Sequence, residues 1–242
     1  MRWFRLALII GWAASTLLPA ASGWARGQLQ AGPTQLELAS SVRATRLTLR
    51  NTGSTPLMAQ VRIYAWSQEH GEDRLHDTDQ LVASPPIVEL AAGEEHLVRV
   101  VRVGPAATGS DQAYRAVVDE LPGDQSAEVS QVALRMRYVI PIHDRAAGAA
   151  AAGLQCRIDA APARLHCANP GGRAAQLGAS RLLWDDGQEL PLSSGLYGYV
   201  LPGAWRTWPL PDGYEPALAA PSLQLETWLN GQVRTLPIKH TP

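Results

Sequence analysis

Six histidines stand at positions 70, 76, 96, 143, 166 and 240, two cysteines at 156 and 167, and adjacent carboxylates at Asp119-Glu120 and Asp185-Asp186. No G-x-S-x-G elbow, H-E-x-x-H pair, phosphate-cradling glycine loop or repeated cysteine pair accompanies them. His70, Asp73 and His76 could ligate a metal, but they sit in a charged, turn-like stretch with the composition of a solvated loop. Neighbours on a strand point to opposite faces, so neither carboxylate pair forms an acid–base couple by itself. The pattern predicts no enzyme, no metal site and no cofactor. Cys156 and Cys167 lack the C-x-x-C partners of a zinc site and read as a disulfide, whose short loop would contribute about 2–3 kcal/mol.

That reading needs an oxidising compartment, and the N-terminus supplies a reason to expect one. Arg2 and Arg5 precede a mostly apolar run from Leu6 to Leu18, and small residues follow, with Gly23 and Ala25 at signal-peptidase spacing. The apolar run falls short of the roughly 20 residues that span a bilayer, which favours a cleaved signal over residues 1–25 above a membrane anchor. Its removal would leave 217 of 242 residues, enough for one large β domain or two of about 100 residues. It would also take two of 21 basic residues, leaving 19 against 22 acidic ones, a net charge of −3. No basic excess then points to nucleic acid. The only lysine is Lys239, so basic function rests on arginine, whose planar fork of donors matches carboxylates.

The elements that would position these residues are strands. Ala44–Asn51, Met58–Trp66, His96–Val103 and Tyr114–Leu121 alternate or are β-branched, and Asn51-Thr52-Gly53, Ala91-Ala92-Gly93 and Pro122-Gly123 punctuate them. The stretch Val129 to Ile142 alternates most regularly: Val132, Leu134, Met136, Tyr138 and Ile140 share one parity, while Gln131, Ala133, Arg135 and Arg137 take the other. Such a row either half-buries itself in its own sandwich or is an edge offered to another protein. About seven short strands in about 115 residues, without an amphipathic helix, are the cue for an immunoglobulin-like sandwich. The small-residue run Arg145 to Gly153 suggests a connector, flexible or briefly helical. Beyond it, Leu154–Ile158, Arg164–Ala168, Ala179–Trp184, Leu196–Val200, Arg206–Leu210, Ser222–Trp228 and Val233–Ile238 read as strands of a second, smaller sandwich. Asp186-Gly187 and Asn230-Gly231 are its hairpin turns. The expected layout is an all-β chain: a first domain over 26–145, a linker over 146–153 and a second domain over 154–242.

One ordered set of motifs carries a resemblance: P-T-Q-L-E-L, L-T-L-R-N-T-G, Pro85-Pro86, E-L-A-A-G-E-E-H-L-V-R-V, Y-R-A-V-V-D-E-L-P and Q-V-A-L-R-M-R-Y-V-I-P-I. Over residues 28–145 the chain resembles periplasmic pilus-assembly chaperones of the PapD-like family, in the branch where a tyrosine–arginine pair opens the strand ending E-L-P. The resemblance implies two immunoglobulin-like domains set at an angle around a cleft. It implies a periplasmic chaperone that holds a pilus or fimbrial subunit one to one and delivers it to an outer-membrane usher, with no nucleic acid and no membrane insertion. The chaperone would lend the strand the subunit lacks, with Val132, Leu134, Met136, Tyr138 and Ile140 as donor side chains, a mode of strand addition known for pilins. Family members grip the subunit's C-terminal carboxylate with two basic residues; here Gln35 occupies the first position. Arg115 and Arg137 are the candidates to replace that pair. The rival classes are a secreted two-domain adhesive or structural subunit and an exported hydrolase with a site assembled from distant residues.

Overall fold

The computed structural model describes residues 28–122, 134–184 and 187–241. Val132, Asp185 and Asp186 lie outside them. The first half is a two-layer sandwich. One layer holds β1 (Leu29–Gly32), β3 (Ala44–Asn51), β8 (Glu95–Arg102) and β6 (Leu81–Ser84) in that order. The other runs β2 (Leu36–Leu38), β10 (Arg137–Asp144), β9 (Gln112–Leu121), β4 (Leu57–Glu69) and β5 (Glu72–Asp77), with β7 (Ile87–Leu90) also on β4. The chain crosses between layers at Gly32-Pro33, so β1 pairs antiparallel with β3 while β2 pairs parallel with the end of β10. Proline has no N–H for a ladder, and a sheet switch is a natural place for it.

Strand alternation builds the core. Leu47, Leu49, Val98, Val100, Val118 and Ile142 meet between the layers and are closed to solvent. One ionic lock crosses the sandwich: Arg102 on β8 and Asp144 on β10 are both buried and doubly bonded, with Nε–Oδ2 at 3.0 Å. Arg102 also donates to the carbonyls of Val42 (2.7 Å) and Ala39 (3.2 Å), so each of its three nitrogens has a protein partner.

The charged stretch Ser67 to Asp79 differs from the expected solvated loop. β4 continues to Glu69 and turns back into β5 through His70 and Gly71, with φ of 53° and 79°. Two consecutive positive φ angles are the geometry of a tight hairpin, and polarity did not prevent pairing because β5 is the edge strand of its sheet.

The second half contains β11 (Gln155–Ala160), β12 (Ala163–Ala168), β13 (Ala175–Trp184), β14 (Glu189–Ser193), β15 (Gly198–Val200), β16 (Trp205–Pro209), β17 (Leu223–Leu229) and β18 (Gln232–Thr241), plus one short helix, α1 (Glu215–Ala219). β18 joins its layers, pairing with β17 early and with β11 late. Cys156 and Cys167 lie opposite each other on β11 and β12 and form the disulfide expected of them. Asn230 and Gly231, both at positive φ, make the β17–β18 turn. The chain is all-β in two domains. Residues of the connector bond to both: Ala146 N–H to Asp111 Oδ1 (3.0 Å) and Gly153 N–H to Asn169 Oδ1 (3.0 Å).

Candidate functional site: the edge of β10 and the cleft beside it

β10 pairs along its whole length with β9, from Arg137 opposite Asp119 to Asp144 opposite Gln112. Its other edge is treated unequally. Ile142 to Asp144 are covered by β2, while among the described residues no strand pairs with that edge over Arg137 to Pro141. An open edge of this kind is a template for a visiting strand.

The face of the strand grades along its length. Ile140 is 4% exposed and belongs to the sandwich core. Tyr138 packs against that core and its hydroxyl donates to the Leu29 carbonyl at 2.7 Å. Met136 is half-buried at the core's margin, and Leu134, which precedes the strand, is 55% exposed. Along the described part of the five-residue row expected from periodicity, exposure therefore falls from Leu134 to Ile140. Pairing Ile140 with Ala116 points its side chain between the layers, where it fills this domain's own interior. Tyr138 is likewise occupied at home. Leu134, with Met136 beside it, is the described part of the row that stays outside the buried core. Arg137 and Val139 lie on the opposite parity, and both are exposed.

That second face runs toward the second domain, where His143 meets Tyr199. Arg115 on β9 faces Tyr64 on one side and Pro141 on the other. Its guanidinium carbon sits 3.5 Å from the centroid of the Trp66 ring and 5.5 Å from that of Tyr199, which comes from the second domain. Planar stacking of this kind holds an arginine without using its N–H groups. Its nearest carboxylate oxygen, on Asp73, is 3.9 Å away, beyond hydrogen-bond length. Asp73 is instead committed to Arg206 (2.5 Å) and Gln68 (2.9 Å). Burial works to raise the Asp73 carboxyl, but the Arg206 and Gln68 bonds outweigh it and hold it below its ordinary value. Burial lowers the Arg115 pKa from a very high starting point, so the group stays cationic at neutral pH. Arg115 thus carries five N–H donors, none in a hydrogen bond to the described residues, between the Trp66 and Tyr199 rings of the two domains.

Arg137, the other candidate anchor, is elsewhere. It is 65% exposed and its Nε bonds Asp119, which also accepts from Arg62 at 2.7 Å. The structure separates the two arginines that the sequence left side by side as candidates. Gln35 bonds Glu37 at 3.2 Å on the exposed surface.

Trp66, Tyr199, Arg206 and Gln68 were not singled out by sequence reasoning, and Asp73 only as a possible metal ligand. Gln68 reaches across the domain boundary, donating to the Tyr199 carbonyl (2.8 Å) and accepting from Leu201 N–H (2.9 Å). The available signal was the polar parity of β4, Gln60, Arg62 and Tyr64, which continues through Trp66 and Gln68. It reads as a solvated face until a second domain is known to cover its far end. His143, on the same face of β10, is buried against Trp66 and Tyr199, with no hydrogen-bond partner for Nδ1 among the described residues. Burial, with the Arg145 cation nearby, pushes its imidazole down to about 4.

Residues 28–145 match the family model described as "Pili and flagellar-assembly chaperone, PapD N-terminal domain". No curated protein matches the chain. Several solved structures share its fold across both domains. One comes from the CsuC–CsuE chaperone–tip adhesion subunit pre-assembly complex of the archaic chaperone–usher Csu pili of Acinetobacter baumannii, at TM-score 0.68 and 23% identity, covering 88% of this chain and 99% of that one. A second is from the Salmonella enterica SafA pilin in complex with the SafB chaperone (0.63, 14%, 88% and 96%). A third is the E. coli chaperone DraB (0.59, 18%, 87% and 97%). Residues 28–145 thus belong to the N-terminal domain family of the PapD-like pilus-assembly chaperones, a family of chaperones rather than enzymes, and 88% of the chain shares the fold of the CsuC–CsuE structure.

Proposed function

We propose that the protein is a periplasmic chaperone of the tyrosine–arginine branch that holds one pilus or fimbrial subunit by strand donation and hands it to an outer-membrane usher. The observation that carries this reading is the open edge of β10 over Arg137 to Pro141, with an exposed Leu134 at its tip. A subunit lacking one strand has an unpaired edge and an apolar trough, and both costs are removed by a strand that supplies main-chain partners and side chains together. Each apolar side chain moved from water into the trough contributes roughly 1.5–3 kcal/mol. Val132, Leu134 and Met136 are the donors in this account, while Tyr138 and Ile140 root the strand. Arg115 receives the subunit's terminal carboxylate with its unused donors, a charge-assisted contact that also fixes how deep the guest sits. The arginine-first signal and the disulfide support an exported life.

Solved relatives include a pilin bound to its chaperone and a chaperone–tip adhesion subunit complex, which supports a one-to-one pairing here. Co-expression with a candidate pilus subunit tests it. A soluble heterodimer that Leu134→Arg abolishes, with the free variant still folded, is the expected result. A homopolymer, or no complex, would instead indicate a structural subunit.

A further inference from the structure

Asp119 and Glu120 stand next to each other on β9, on opposite faces, and no enzymatic role absorbs them. Both are spent on the start of β10. Asp119 is 8% exposed and receives Arg137 from the strand directly opposite and Arg62 from β4 on its other side. Glu120 N–H donates to the Met136 carbonyl at 3.0 Å, as in an ordinary ladder. The return bond is different: Met136 N–H donates to the Glu120 side chain, Oε2, at 3.2 Å. A carboxylate therefore takes the place of the next main-chain acceptor.

The register of β10 needs such help. Its sequence from Tyr138 to Ile142, Y-V-I-P-I, is apolar on both parities, so hydrophobic pattern alone does little to oppose a slip by one residue. Such a slip would turn every donor side chain to the wrong face. At the far end Asp144 is locked by Arg102; at the near end the two carboxylates hold Met136 and Arg137, ahead of the Tyr138 hydroxyl bond to the Leu29 carbonyl. We infer that Asp119 and Glu120 are positioning residues: together they fix the register in which β10 begins and the residue at which its pairing with β9 stops. The consequence for capture rests on the chaperone reading above. With the stop at Met136, Leu134 is phased for a guest and Tyr138 stays at home.

Amide hydrogen exchange on the free, full mature chain reads the clamp without any guest. Asp119→Asn and Glu120→Ala should each speed exchange from Met136 to Ile140 by about tenfold, leaving β3 and β8 at wild-type rates. Asp119→Glu keeps the charge and Glu120→Gln keeps an acceptor, so both should stay within about threefold of wild type. Unchanged exchange in Asp119→Asn and Glu120→Ala, or an equal acceleration throughout the domain, would overturn the inference. Co-expression with a pilus subunit forms the second arm: capture should fall in the two loosened variants and recover in the two conservative ones. A wild-type chain that captures no subunit would refute the chaperone reading, while the exchange result would still judge the clamp.

Discussion

The two ends of β10 are built from the same alphabet and treated in opposite ways. At Asp144 the strand is flanked by β9 and β2, and its carboxylate is shut in with Arg102. At Arg137 it has one neighbour, and its ion pair with Asp119 is largely open to water on the arginine side. The apolar row follows the same gradient, from a buried Ile140 to an exposed Leu134. A strand that is only core would be covered at both ends; one that is only a tether would be loose at both. This one has a root and a tip, the mechanical requirement for lending a strand without unfolding.

The root is where substitution should cost most. Asp144→Ala would leave the Arg102 guanidinium buried and unpaired, and should destabilise the first domain by about 3–5 kcal/mol in urea titration. A loss near zero would mean that the lock is dispensable and the root/tip distinction is one of packing alone. Next comes His143, also at the root. The unfolded chain takes up its proton near 6.5 and the folded chain near 4, so between them the unfolded state binds more protons. Stability should therefore fall as pH drops through that window, by about 3 kcal/mol for this group. His143→Gln should flatten that part of the profile, leaving the acid limb from carboxylates such as Asp73 and Asp119, whose pKa values are lowered by their arginines.

On the binding face the effects are smaller and should appear in capture rather than in folding. Arg115→Ala removes a charged donor set worth about 1.5–3 kcal/mol to a bound carboxylate, a roughly tenfold to hundredfold loss of subunit affinity. If affinity is unchanged, the anchor lies elsewhere in the cleft. Arg137→Ala breaks only a half-solvated pair and should cost under about 1 kcal/mol of stability. A larger cost would show that the tip is held as firmly as the root.

Much of this was legible in the sequence, for local reasons. Alternation in A-T-R-L-T-L-R-N and M-A-Q-V-R-I-Y-A-W marks strands, Asn230-Gly231 marks a hairpin, and an isolated cysteine pair without zinc-site partners marks a disulfide. What escaped was decided at a distance. Y-V-I-P-I is apolar on both faces, so no count of parities says that Ile140 looks inward and Val139 outward; pairing with β9 settles it. Arg115 and Arg137 look equivalent until Trp66, Asp73 and Tyr199, far apart in the chain, assemble around one of them. The hairpin of β4 and β5 hid behind its charge, because an edge strand gains by being polar.

The most direct test places a single thiol on the tip. All native cysteine among the described residues is disulfide-bonded, so Leu134→Cys would be the one maleimide-reactive site there. In the free chaperone it should label rapidly, and in the purified one-to-one complex with a pilus subunit it should be protected. An Ile140→Cys control should resist labelling in both states. Rapid labelling of Leu134→Cys inside the complex would contradict the account, because the tip would then not be in the guest.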